Sequence, residues 1–218
     1  MPWVFGYGSL VPADVAALPL GAVPCRLSGW RRRWSVAMDN SRDIPGYKHY
    51  RTLDGERPDV MVAFLDIAPQ RRALVNGAAI PIEPDELPGL DRRERNYRRV
   101  DVTDALDRRL PGGPVWAYIG RRAARERAAA GRREGRLVVS RGYLERVAEG
   151  FEVMGEREAF GRLTTPPLAP VADLVLVRDE PVAEPRAVAR RRTARPPAPN
   201  ASSTASTYSG SPGSWPST

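Results

Sequence analysis

Two short stretches of the chain combine residue types that could do chemistry. The first is Phe5-Gly6-Tyr7-Gly8-Ser9-Leu10, where an apolar run stops at a pair of small residues. Glycine permits close backbone approach and positive φ. Successive N–H groups at such a turn form a concavity that suits a carboxylate or a developing oxyanion. A plain strand-exit turn fits the same residues. The second stretch runs Leu90-Asp91-Arg92-Arg93-Glu94-Arg95-Asn96-Tyr97-Arg98-Arg99-Val100. Leu87, Leu90 and Glu94 fall at i, i+3 and i+7, so a helix here projects Glu94 from its apolar face. A carboxyl group in that position needs partners or a proton, which makes it a candidate acid–base residue. A surface ion pair between Glu94 and one of the nearby arginines is the plainer reading.

Composition removes several alternatives. The chain has 218 residues, with 34 basic and 26 acidic side chains and a net charge of +8. Lys48 is the sole lysine, His49 the sole histidine and Cys25 the sole cysteine. One cysteine cannot form an intramolecular disulfide. A zinc site of Cys and His ligands is excluded within one chain, and no metal site is read. A Ser-His-Asp triad would have to use His49. Acid–base work therefore falls to Asp, Glu or Tyr, or to a cofactor. No apolar stretch approaches the length of a membrane span, and no signal peptide is read at the N-terminus. The expected location is cytoplasmic.

The elements that would position these residues are legible in outline. Pro2 to Tyr7 reads as a strand, and Cys25 to Met38 as a strand bent at Gly29. Val60 to Ile67 is the clearest buried strand. Arg71 to Ile82 is a separate candidate, with its strand starting after Gly77. Pro84 to Asn96 suits a short helix, Tyr97 to Val102 and Val115 to Ile119 suit strands, and Arg121 to Arg136 suits a solvated helix or a mobile excursion, loosely held for want of an apolar face. Tyr143, Val147, Phe151 and Met154 mark one amphipathic helix over Ser140 to Phe160, with Ser140 as its N-cap. The expected fold is α+β, a small mixed β-barrel with flanking helices. Residues 1–180 form the expected domain. Residues 181–218 hold seven Pro and seven Ser, and no Leu, Ile, Met or Phe. Such a segment lacks the apolar surface to offset its entropy and reads as a disordered C-terminal tail. It carries half of the net charge.

The N-terminal VFGYGSL together with the later LDxxExxYxR resembles the gamma-glutamylcyclotransferase-like family, including its avirulence-induced-gene-like branch. The resemblance covers about residues 2–120, and NGAAIPI and VWAYI support it. The glycine that commonly follows the family's glutamate is Arg95 here. About 85 residues separate Ser9 from Glu94, with an apparent insertion at Asn40 to Pro58 that holds Lys48 and His49. Residues 121–180 are an extension with no counterpart in the minimal fold.

The resemblance implies a cofactor-independent enzyme of the acyltransferase or amine-lyase type. The α-amine of a γ-glutamyl group attacks its own γ-carbonyl, giving 5-oxoproline and a free amine. Glu94 would be the general acid–base residue. Tyr7, Gly8, Ser9 and Leu10 would bind the substrate at the turn, and Tyr118 would match a tyrosine near the pocket. Tyr97 belongs to the motif and reads as structural. The implied partner is a small-molecule γ-glutamyl substrate. A non-catalytic binding domain of the same fold is the alternative. An arginine-rich nucleic-acid-binding protein is a weaker one, because no stripe of interleaved aromatic and basic residues accompanies the charge.

Overall fold

The computed structural model describes residues 1–11, 21–42 and 48–178. The expected disordered tail, 181–218, lies outside them. Met1–Val182 forms one compact unit, within which the described residues make an α+β fold. A central mixed sheet contains β1 (Trp3–Gly6), β2 (Val23–Asp39), β4 (Met61–Pro81), β5 (Tyr97–Asp101), β6 (Val115–Gly120), β7 (Leu137–Ser140) and β8 (Val171–Ala172). The order is β5-β6-β1-β4-β7-β8, with β2 antiparallel to β4 along most of its length. Among the described residues this path is open from β5 to β8, not a closed ring. A separate two-stranded sheet pairs β3 (Lys48–Arg51) with β9 (Val175–Arg178).

The expected strands at Val60 to Ile67 and after Gly77 are two ends of one strand, β4. Its middle residues, Pro69 to Arg72, are more exposed, so the sequence shows two apolar runs where the backbone makes one ladder. β2 shifts register between Ser28 and Trp30, at the expected bend. The helices are α1 (Leu87–Arg93), α2 (Arg122–Arg133), α3 (Arg141–Val153) and α4 (Arg157–Leu163). The core between sheet and helices includes Phe5, Leu27, Val36, Leu65, Ile67, Val75, Val147 and Phe151, each no more than 1% exposed. No helix of the described residues is long and apolar enough to cross a membrane.

Three local expectations change. Arg122–Arg133 is a regular helix held against the sheet. Its buried face is Ala124, Ala128 and Gly131, a stripe of small residues that carries little hydrophobic signal. A Cβ at Gly131 would lie 2.7 Å from Cγ of Met61, so only glycine allows this approach. The amphipathic stretch from Ser140 is two helices. Gly155 has a φ of 69°, and the N–H of Glu156 donates to the carbonyl of Phe151 at 2.8 Å, a left-handed closure that ends α3. Ser140 occupies the N-cap position of α3 without making a cap bond. Its hydroxyl donates instead to the Leu174 carbonyl at 3.3 Å, tying α3 to the segment before β9.

Candidate active site

β1 ends beneath a tight turn in which the N–H of Val11 donates to the Gly8 carbonyl at 2.9 Å. Tyr7 and Gly8 are buried, and Ser9 is exposed at the tip. Gly8 packs on Leu65 of β4, and a Cβ there would lie 3.5 Å from the Tyr143 hydroxyl. The Tyr143 hydroxyl is hydrogen-bonded to the Ser9 side chain. A residue of α3 thereby holds the turn that follows the first strand.

Glu94 is the C-cap of α1, its N–H donating to the Leu90 carbonyl at 2.8 Å. Its carbonyl in turn accepts from the Tyr97 N–H at 2.8 Å, so the glutamate sits on the corner between α1 and β5. That corner is fixed from behind by α2. The Arg127 guanidinium donates to Oδ1 of Asn96 at 2.7 Å and to the Ala37 carbonyl at 3.0 Å. The Arg121 N–H donates to the Asn96 carbonyl at 2.9 Å. The Glu94 side chain is 20% exposed, and its Oε1 lies 3.4 Å from Nε of Arg93.

The remaining motif residues hold one another. The Tyr118 hydroxyl donates to Oδ1 of Asp91 at 2.7 Å, and the other oxygen of Asp91 lies 3.3 Å from the Arg99 guanidinium. The Tyr7 hydroxyl donates to the Tyr118 carbonyl, and Tyr97 donates to the Leu65 carbonyl at 2.8 Å. These bonds link the aspartate before the glutamate to the arginine after the tyrosine.

The turn and the corner meet at a cavity of about 420 Å³. Ser9, Glu94, Tyr97 and Tyr143 line it. Of the residues expected at the substrate, Ser9 and Glu94 are therefore brought together. Tyr7, Gly8 and Leu10 stand behind Ser9 and do not line the cavity. Tyr118 faces Asp91, away from it. Tyr143, from the extension beyond residue 120, is a site residue that the motifs do not contain. Its i, i+4 spacing with Val147 marked it as a core position, and only its contact with Ser9 reveals the second role.

Burial dominates the titration of the tyrosine hydroxyls at and behind the cavity wall. It raises Tyr7 and Tyr97 well above the ordinary tyrosine value, with the negative charges of Asp66 and Glu94 adding to it. Burial also raises Tyr143, to about 12, although the bond from Ser9 acts the other way. All three are neutral donors at physiological pH. The far side of the cavity is cationic. Lys48 and Arg178 lie there, and Arg92, Arg93, Arg95 and Arg146 complete six positive side chains around one carboxylate. Lys48 Nζ stands 4.3 Å above the Phe64 ring. Neither lysine nor arginine was expected at the site.

No protein-family model and no curated protein matches the chain. Solved structures do resemble it. One is a gamma-glutamyl cyclotransferase, 12% identical, matched over 78% of this chain and 92% of the other at a TM-score of 0.44. Another is a yeast gamma-glutamyl cyclotransferase specific to glutathione, 15% identical, matched over 74% and 96% at a TM-score of 0.43. A third is an Arabidopsis thaliana protein solved in solution, 23% identical, matched over 56% and 70% at a TM-score of 0.35. At such scores the likeness decides nothing about chemistry, which rests on the residues of the cavity.

Proposed function

We propose that the chain is a gamma-glutamylcyclotransferase-type enzyme that releases 5-oxoproline from a γ-glutamyl amide. The observation that carries this reading is the placement of Glu94 and Ser9, 85 residues apart in sequence, on one cavity. The residues behind the turn and the corner are held by hydrogen bonds, which is what a site that must fix a substrate conformer requires.

Nucleophile and electrophile belong to the same molecule. The enzyme's task is to fold the γ-glutamyl arm until its α-nitrogen lies against its γ-carbonyl carbon. Preorganising such a conformer is worth up to about 7–11 kcal/mol of the barrier. The turn receives the α-carboxylate at its exposed residue Ser9, through backbone N–H groups there, with Tyr7, Gly8 and Leu10 holding the turn from behind. Tyr143, neutral and on the cavity wall, is the hydroxyl available to a developing oxyanion, since the Tyr97 hydroxyl donates to the Leu65 carbonyl.

An α-amine has an ordinary pKa near 8, so most of it is protonated and inert at neutral pH. The ammonium gives one proton to solvent before it can attack, and Glu94 takes a second from the nitrogen as the new C–N bond forms, solvent likewise supplying the second proton of the leaving amine. The tetrahedral centre collapses when the old C–N bond breaks, and Glu94 returns the proton to the leaving nitrogen. In all, the α-ammonium loses two protons on becoming a lactam N–H. The departing amide nitrogen gains two and leaves as an ammonium. No water is consumed.

The test is 5-oxoproline release by mass spectrometry from a panel of γ-glutamyl amides, with wild type and Glu94→Gln in parallel. Release by the wild type alone supports the reaction and the base. A variant with most of its turnover would remove Glu94 from the chemistry.

A further inference from the structure

The cationic side of the cavity is built by β3 and β9. Lys48 pairs with Arg178 in their antiparallel register, and Tyr50 pairs with Leu176. Side chains alternate across a strand, so this face of the ribbon points Lys48, Tyr50, Leu176 and Arg178 at the cavity. His49 and Val177 fall on the other face. Arg146 of α3 joins the same side. None of Lys48, Arg146 and Arg178 pairs with a carboxylate among the described residues. Arg93 of α1 is turned to Glu94. Burial is the largest influence on Lys48. Together with the repulsion of Arg178, Arg146 and Arg93, it outweighs the attraction of Glu94 and brings the ammonium down to about 8.

Lys48 is half-buried, Arg146 and Arg178 are exposed, and none of them has a carboxylate partner among the described residues, so burial and like charge disfavour the Lys48 ammonium more than Glu94 supports it. A bound anion relieves that cost, and a cationic group would deepen it. We propose that β3 and β9 read the amine half of the substrate, and that this half carries two or more negative charges, as in an acidic amino acid or a phosphorylated amine. The inference rests on the cyclotransferase reading of Glu94. It places the cleaved bond between the reactive wall, which holds the γ-glutamyl head, and the ribbon, which holds the departing amine by its charge.

The test uses the full chain and four compounds with a common γ-glutamyl head. Their amine halves are glycinamide, alanine, glutamate and phosphoethanolamine. The expected result is a rise in kcat/KM of about tenfold or more from glycinamide to the two multiply charged halves, carried mainly by KM. Comparing glutamate with phosphoethanolamine separates a carboxylate preference from a phosphate preference. Lys48→Met with Arg178→Leu brings the ratio toward one. Arg146→Ala, a change on the exposed face of α3, lowers it in part and guards against misfolding of the double variant.

Equal kcat/KM for all four compounds would overturn the inference and leave the reaction standing. Release from none of them would count against the cyclotransferase reading. Calorimetry of γ-glutamylglutamate binding then decides the ribbon separately. Binding that weakens with salt and in the double variant supports a charge-reading wall, and identical binding in both proteins overturns it.

Discussion

On the α1 side of the cavity, the hydroxyls of Tyr97 and Tyr143 are already committed to Leu65 and Ser9. On the ribbon side, Lys48 stands over the Phe64 ring, and neither it nor Arg178 has a carboxylate ion-pair partner among the described residues. One wall is satisfied within the protein and the other awaits a charge from outside. The contrast separates two demands on a site. Chemistry needs groups that do not move, and each bond behind Glu94 removes a way to move. Recognition of a charged half needs groups whose partner is still missing. Their repulsion in the free protein becomes discrimination once the ligand is bound.

Glu94→Gln gives the largest effect expected from this division, because it removes the proton carrier and keeps the shape. Turnover should fall by about 10²–10⁴-fold with circular dichroism unchanged. A small fall would mean that the α1 wall is scaffold and the contrast is misassigned. Arg178→Glu attacks the other wall. It should cost more than tenfold in kcat/KM with the glutamate-bearing compound and much less with the glycinamide one. A loss of the same size with both would make Arg178 structural.

Lys48 sharpens the comparison through pH. Its charged form is disfavoured in the folded protein, so the free protein loses this cation as pH rises through about 8. The titration is felt by Glu94 at the end of α1, Arg93 beside it, Arg146 on α3 and Arg178 on β9. The ratio of kcat/KM for the glutamate-bearing compound over the glycinamide one should therefore fall a few-fold between pH 7 and 9. The α-amine titrates on both compounds and largely cancels in the ratio. Lys48→Arg should flatten the trend, because a guanidinium keeps its charge over this range. The same depressed value makes the Lys48 ammonium a cost to folding below about pH 8, and that cost is relieved as pH rises from there toward the unfolded value.

Tyr97→Phe gives the smallest effect. It leaves the buried Leu65 carbonyl without this donor and should lower stability by about 1–3 kcal/mol, read as a lower urea midpoint. An unchanged midpoint would show that the α1 wall is less fixed than its hydrogen bonds imply.

The α1 side of the cavity was legible in part, because Ser9, Glu94 and Tyr97 belong to local motifs while Tyr143 does not. A strand-exit turn and a helix–strand corner each announce themselves within ten residues. Asp91 and Arg99 pair within the motif, while Tyr97 reaches back to the Leu65 carbonyl of β4. The ribbon was not legible, because its two strands are 124 positions apart in register, Arg51 opposite Val175. Each is four residues long, too short for a period to stand out. The insertion that carries Lys48 and the extension that carries Arg178 look like unrelated departures until the pairing joins them. The close packing of helix α2 was missed for a different reason. Its buried stripe is alanine and glycine, so what packs there is backbone proximity, which hydrophobicity does not register. Splitting the stretch at 60–82 into two strands came from the exposed middle of β4, where the ladder continues beyond the apolar residues.

The reaction itself is tested most directly in water enriched with ¹⁸O. The folded protein is incubated with γ-glutamylglutamate, and both products are weighed by mass spectrometry. Intramolecular attack predicts 5-oxoproline without ¹⁸O, formed in equal amount to the released amine. Glutamate bearing one ¹⁸O at its γ-carboxylate would mean that water is the nucleophile and would contradict the role given to the substrate's own α-amine.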